Sequence, residues 1–427
     1  MTDLPDSPPS RAWRWIPTLY FAQGLPNVAV ATLAVVMYKN LGISNTDVAL
    51  YTSWLYLPWV IKPLWSPFVE LRGSKRGWII ALQFVVGAGM ALIAFTLPTT
   101  FFFQATLAVF WLIAFSSATH DIAADGFYLI ALPKSQQAAF VGVRSTFFRI
   151  SMIAGQGGLV FLAGWWAGED ENFVAAWAMV FGLLAAVFLL AAWYHGWALP
   201  RVANDQPSKV SESPWAGWWT VFKAFFQNRD IVTILGFLLL FRIAEAQLLK
   251  LVIPFMLDER AIGGLALSNK QIGIFYGTYG VIALTIGGLV GGWLVSRHGL
   301  RRMLWWMVAA MHVPNLVFVG LAIYQPTSLS MIGGAIVAEQ LGYGFGFTAY
   351  MVYMMMVAAD GPHKTAHYAI CTGFMALGIM LPGMVAGWIQ EQLGYQNFFL
   401  WVVACAIPSI AACAFIKIHT DFGRKEN

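Results

Sequence analysis

Apolar residues fall along this chain in long continuous stretches, not in the alternating or 3.6-residue patterns of half-buried elements. A membrane-spanning helix needs about 20 such residues. Twelve runs reach that length, near 12–38, 46–70, 77–97, 103–131, 137–167, 173–198, 230–256, 269–296, 301–323, 328–358, 364–390 and 396–418. The pattern predicts an all-α membrane protein with twelve transmembrane helices. The longest polar break runs from about Arg201 to Arg229 and divides the spans six and six. Three regions follow: an N-terminal six-helix half over 1–200, a cytoplasmic loop over 201–229, and a C-terminal six-helix half over 230–427. Within the loop, Pro214 to Phe226 is rich in Trp and Phe and too short to span. It predicts an amphipathic helix lying in the interface.

Composition agrees. The chain is 59% hydrophobic and 11% charged, against roughly 25% charged residues in a soluble domain. Its 20 Trp and 32 Phe suit the two membrane interfaces. The net charge of +5 does not point to nucleic acid, because the basic residues sit in short loops between apolar runs. Their distribution predicts orientation. With both termini on one side, that side collects 17 Lys and Arg, while the other holds only Lys39, Arg260 and Lys270. Both termini are expected in the cytoplasm. Cys371, Cys405 and Cys413 lie in late apolar runs and suggest no disulfide framework. The polar stretch Met1 to Ser10 is followed by no short apolar region with a cleavage site, so the first span reads as an uncleaved signal anchor.

Several spans carry charge, which is costly at bilayer depth and marks pathways or buried pairs. The fourth holds His120, Asp121 and Asp125. The two aspartates are four residues apart and share a helix face. Counting back around the turn at Leu132 to Gln136 sets Arg144 level with them and Arg149 one turn deeper. This group reads either as a permanent ion-pair clamp or as a gate that breaks and reforms. Glu70, at the inner boundary of the second span, is expected to pair in the same layer. Lys75 and Arg76 read more readily as a solvated basic turn. Lys62 lies about nine residues, or roughly 13 Å, from the end of its span, as a cavity cation or one half of a structural pair. Arg242 and Glu245 occupy the middle of span seven, three residues apart, as an internal pair or as site residues. Glu339 in span ten reads as a carboxyl kept neutral by burial or as a proton carrier. Tyr20, Phe21, Phe115, Tyr343 and Tyr350 could stack on a sugar ring or simply fill the bilayer. No P-loop, metal cluster or nucleophile–base constellation is evident, so no cofactor, metal or enzymatic activity is expected.

The loop Val69-Glu70-Leu71-Arg72-Gly73-Ser74-Lys75-Arg76 aligns without a gap with Val295-Ser296-Arg297-His298-Gly299-Leu300-Arg301-Arg302. A repeated half with a Gly and flanking basic residues resembles the loop signature of the major facilitator superfamily. The first half more specifically resembles the AmpG-type muropeptide permeases and the related acetyl-coenzyme A transporters. The matching segments are Gly24-Leu25-Pro26, Lys62-Pro63-Leu64-Trp65-Ser66-Pro67, Arg76-Gly77-Trp78, Ser117 to Asp125, Arg149 and Gly155-Gln156-Gly157-Gly158. They cover roughly residues 20–165. The usual glutamine before the first aspartate is His120 here, and twelve spans are two fewer than those permeases carry.

The resemblance implies a major facilitator fold whose spans one, four, seven and ten line a central cavity. Gln23, Asp121, Asp125, Glu245 and Glu339 all lie on those spans. The expected activity is proton-coupled uptake of an anhydro-muropeptide across a bacterial inner membrane by alternating access. Asp121, Asp125, Arg144, Glu245, Glu339 and Glu70 are the residues expected to serve proton coupling or gating. Gln23, Lys62, His120, Arg149 and Arg242 are expected to meet the solute. The expected partners are a polar, anionic small molecule, protons and the lipid bilayer, with no nucleic acid, and the carrier is expected to be a monomer. The same cationic cavity would suit a coenzyme A thioester, a peptide or a siderophore-like solute. A membrane sensor without net transport is a further alternative.

Overall fold

The computed structural model describes residues 9–203, 205–206, 214–359, 364–419 and 422. Among them every regular element is helical. Ten stretches are long and apolar enough to cross a membrane: Ile16–Asn40, Lys75–Thr96, Phe102–Ala131, Gly142–Ala167, Phe173–Ala198, Ile231–Leu257, Asn269–His298, Leu300–Tyr324, Leu329–Ala359 and Ala366–Phe415. Two of the twelve apolar runs are therefore not separate members of this set. The run near 46–70 folds as two helices, Asn45–Trp54 and Leu57–Leu71, interrupted between them. The last two runs form one stretch of 50 residues, inside which Gly394 leaves helical geometry at φ 70° and ψ 165°.

The chain forms two compact units that do not follow sequence order. The first comprises Met1–Met37 and Leu64–Pro214, and the second comprises Tyr38–Pro63 and Trp215–Asn427. In the first unit, Trp15, Tyr20, Phe127 and Tyr128 belong to a buried core. Trp15 meets Phe127 edge-on at 5.3 Å between ring centroids. The helix Ile16–Val28 lies directly on Lys134–Ile153 and the following turn, and glycine makes this possible. A Cβ on Gly24 would fall 1.8 Å from Ser151 Oγ, and one on Gly155 would fall 2.5 Å from Val28 Cγ1. Small residues let helix backbones approach where no hydrophobic effect drives them together. Within the cluster Gly155 to Gly158, Gly155 serves this close packing.

The second unit centres on Phe237, Phe241, Tyr350 and Tyr353. Tyr350 stacks on both Phe237 and Phe241 at 5.4 Å. A helix spans Pro214–Phe226, and its Phe225 packs against His367 and Phe374 in the same core. The segment Tyr38–Pro63 joins this unit because the Lys364–Ala404 helix offers it a glycine face. A Cβ at Gly387 would sit 2.0 Å from the Asn45 carbonyl oxygen, and one at Gly373 would sit 2.8 Å from that of Val60. Polar contacts complete the seam. Lys39 Nζ lies 2.7 Å from Asp258. Asn45 donates to Gln390 at 2.7 Å and to Tyr395 at 2.9 Å, and Thr46 donates to Glu391 at 2.6 Å.

Candidate functional site

The span Ile231–Leu257 is broken in its middle. Helix Ile231–Leu240 ends, and helix Ile243–Leu257 begins after Phe241 and Arg242, with Arg242 as its N-cap at φ −106° and ψ 14°. A break at this depth frees carbonyl groups that lipid cannot satisfy. Two hydroxyls take them up. Tyr350 donates to the Leu238 carbonyl at 2.6 Å, and Ser409 donates to that of Phe241. Glu245 lies in the first turn of the second helix. A carboxylate there is favoured by the helix dipole.

Around this break gathers a cluster of buried polar side chains, all within the second unit. Arg242 is buried and donates from Nη2 to the Tyr343 hydroxyl. Its guanidinium lies over the rings of Phe347 at 4.7 Å and Tyr343 at 5.5 Å. Its Nε has no hydrogen-bond partner. Glu245 is fully buried, and neither of its oxygens has a partner. Glu339 accepts from Gln340 at 2.9 Å through one oxygen, and its other oxygen is unpartnered. Glu245 and Glu339 are near enough to act electrostatically on each other and on Tyr276. Arg242 acts in the same way on Glu245 and on Tyr56. Buried polar groups are usually satisfied, and four atoms of this cluster, Arg242 Nε, both Glu245 oxygens and one Glu339 oxygen, are not.

The first unit holds a different arrangement. Arg144 Nη2 meets Asp125 at 2.7 Å. Tyr20 donates to the same carboxylate oxygen at 3.3 Å. The guanidinium rests on the rings of Tyr20 at 4.5 Å and Tyr128 at 5.1 Å. The turn geometry read from sequence thus brings Arg144 to Asp125. Asp121 is half-buried on the same helix. His120 enters a separate buried chain, in which Gln83 Nε2 lies 3.1 Å from His120 Nε2. Gln83 Oε1 lies 2.9 Å from His195 Nδ1, and His195 Nε2 lies 3.0 Å from Thr18 Oγ1. The chain ties four helices together, and neither Gln83 nor His195 stood out in the sequence as chemistry. Gln23 is buried with its side-chain carbonyl unpartnered. Arg149 and Lys62 are both half-buried, in the first and second unit respectively. The Glu70 side chain lies outside the described residues.

The basic turn after the second span is more than a solvated loop. Asp205 accepts from the backbone N–H groups of Lys75 at 2.7 Å and Arg76 at 3.0 Å. The Arg76 side chain donates to the carbonyls of Leu199, at 3.2 Å, and Gly196. Asp205 thus caps the start of the Lys75–Thr96 helix and Arg76 the end of the Phe173–Ala198 helix, each with the charge its dipole favours.

Comparison with known proteins agrees with this architecture. The family model described as BT1 family matches residues 21–308. The anhydromuropeptide permease of Escherichia coli K12 is 27% identical over 414 residues, covering 95% of this chain and 80% of the relative. Among solved structures, the nucleoside transporter NupG superposes with a TM-score of 0.67 at 17% identity, over 95% of this chain and 99% of its own. A bacterial homologue of the human lysosomal transporter Spinster, inward-facing and occupied, superposes at 0.71 with 17% identity over 96% of each chain. At such identities these structures speak for the fold alone.

Proposed function

Because the chain belongs to the BT1 family and is a multi-pass membrane transporter of the AmpG permease type within the major facilitator superfamily, we propose that it takes up an anhydro-muropeptide together with protons. The observation that carries this reading is the cluster at the broken span. Arg242, Glu245 and Glu339 are buried with open hydrogen-bonding valences. A structural core would have closed them, since each open valence costs free energy. A carrier that binds and releases a charged solute has to keep them open.

In this scheme Arg242 receives an anionic group of the solute, with Lys62 of the same unit as a further cation. Glu245 and Glu339 hold the transported proton. Two carboxyls close together in a low dielectric do not both ionise readily, so a proton bound there responds to charge brought in nearby. Asp125 and Arg144 act as a gate, with Asp121 and Glu70 in the same layer. Twelve crossings follow if the 46–70 run spans and the 50-residue stretch Ala366–Phe415 divides at Gly394. A straight helix of that length would measure about 75 Å against a hydrocarbon core of about 30 Å. The carrier then consists of two six-helix halves in the bacterial inner membrane, monomeric, with both termini in the cytoplasm.

The test is uptake of labelled GlcNAc-anhydro-MurNAc peptide into proteoliposomes, with and without an inward proton gradient. Accumulation is expected only with the gradient. Glu339→Gln and Asp125→Asn are each expected to stop accumulation. Glu339→Gln should still exchange labelled for unlabelled solute. Absence of uptake by folded wild-type protein would remove this cargo and turn the search to coenzyme A thioesters and siderophores.

A further inference from the structure

Two helices of the first unit, Lys75–Thr96 and Phe173–Ala198, leave between them an open groove that the transport scheme does not use. Both helices are long and apolar enough to cross a membrane. The groove measures about 840 Å³, which lies in the range of small-ligand sites. Ile80 and Phe84 line it from the first helix, and Trp193 and Trp197 from the second. The two tryptophans are 75% and 71% exposed. Ala192 and Gly196, also four residues apart, keep the space between the large side chains free. A Cβ on Gly196 would meet nothing within 4 Å. This glycine therefore opens the groove and does not serve helix packing.

The groove is charged at one end. Arg76, Ile80 and Phe84 recur every four residues and share one helix face, so Arg76 heads the row that lines the groove. Its Nη2 donates to the carbonyl of Gly196, itself a lining residue, and its Nε donates to that of Leu199 at 3.2 Å. A guanidinium has five N–H donors, and these bonds use two. No carboxylate forms a salt bridge with Arg76 among the described residues. Asp205 accepts from the backbone N–H groups of Lys75 and Arg76, not from the guanidinium. Tyr194, another lining residue, donates to the carbonyl of Arg14 and so brings a second, exposed basic residue to this end.

The order of these residues matches a lipid. Arg76 lies at the loop end of both helices, and Phe84 lies eight residues, or about 12 Å, further into the apolar region. An arginine fork suits a phosphate, and tryptophan suits the headgroup level. A phosphate on the guanidinium would lay an acyl chain along Ile80 and Phe84. A water-soluble anion would use the charge and leave the groove empty. An apolar helix from another protein would fill the groove and leave the charge without a partner.

We propose that this groove binds one anionic phospholipid, with its phosphate on Arg76 and an acyl chain between Phe84 and the two tryptophans. The site is independent of the identity of the cargo.

The probe is phosphatidylglycerol with brominated acyl chains, which quench indoles on contact. It is diluted into phosphatidylcholine nanodiscs that hold the full-length protein. Brominated phosphatidylcholine at the same fraction is the control, with the same chains and phosphate but no net charge. Subtracting the signal of a Trp193→Phe/Trp197→Phe protein isolates these two indoles among the 20 of the chain. Wild type is expected to bind phosphatidylglycerol about fivefold more tightly, the worth of one basic residue beside an anionic lipid. Arg76→Gln removes the charge and Gly196→Leu fills the groove, and each is expected to erase the preference. Should Arg76→Gln fail to fold for want of its helix cap, Gly196→Leu keeps the cap and decides. Equal quenching by the two lipids in wild type, or an undiminished preference in a folded Arg76→Gln or Gly196→Leu protein, overturns the site and leaves an ordinary lipid-facing surface.

Discussion

The two charged clusters of this molecule invite comparison. In the first unit Asp125 and Arg144 are paired at 2.7 Å, the guanidinium is held between two tyrosine rings, and the Asp125 side chain is 44% exposed. In the second unit Arg242, Glu245 and Glu339 are almost wholly buried and leave four polar atoms unpartnered. The first group is solvated and satisfied, so its charges cost little and return little to stability. The second lies where charge is expensive, beside a helix that breaks to make space for it. A pair that is content in its surroundings is suited to opening and closing. A cluster left incomplete is suited to binding. The contrast is the basis on which gating is proposed for one unit and recognition for the other.

Substitutions can break or sharpen this contrast. The largest effect is expected for Arg242→Met, which removes the bond to Tyr343 and the cation that acts on the buried Glu245 carboxyl. Removing one partner of buried charges typically costs about 3–5 kcal/mol, to be read as a fall in unfolding free energy in detergent. The double variant Arg242→Met/Glu245→Gln should recover most of it. If the single variant is as stable as wild type, the cluster is not electrostatically coupled.

A smaller effect is expected where glycine seats the Tyr38–Pro63 segment in the second unit. Gly387→Ala puts a methyl group 2.0 Å from a backbone oxygen, and overpacking of this kind costs about 1–3 kcal/mol. In the first unit, the nearest obstacle to Gly24→Ala is the Ser151 hydroxyl. A side chain can rotate aside, so Gly24→Ala should lower the melting temperature less than Gly387→Ala. The reverse order would show that the backbone at Asn45 yields more easily than its packing suggests.

The smallest change in stability is expected for Asp125→Asn, roughly 0–1 kcal/mol as for an exposed pair. Its transport phenotype is expected to be complete, because a gate needs its partner even where the fold does not. If Asp125→Asn destabilises the protein as much as Arg242→Met, the first cluster is a structural clamp and the contrast between the units collapses.

Much of this was legible in the sequence. Charge inside apolar runs is rare enough to be read one residue at a time, so Asp125, Arg242, Glu245 and Glu339 stood out without any structure. The pairing of Arg144 with Asp125 followed from counting residues around a tight turn, since both helices rise at the same rate. Gln83 and His195 were not legible as members of one chain with His120, because two other helices supply them, His195 from 112 residues beyond Gln83. Nor was Arg76 as a helix cap, which depends on where the Phe173–Ala198 helix ends in space. The broken span left no signal either. Phe241 and Arg242 carry no proline or glycine, and the break is held by hydroxyls from Tyr350 and Ser409 that arrive from other helices.

The sequence by itself determined that the chain lives in a bilayer, that its regular structure is helical, and which side chains carry charge into the apolar region. Those properties follow from transfer free energies and from backbone groups that must be satisfied locally, and both act over one helix at a time. Tertiary structure alone decided which charges are paired and which are left open. It also decided that Tyr38–Pro63 packs with the second unit. Partnership depends on distance between helices, and that distance is set by small residues such as Gly24 and Gly387, whose importance shows only once another backbone lies against them.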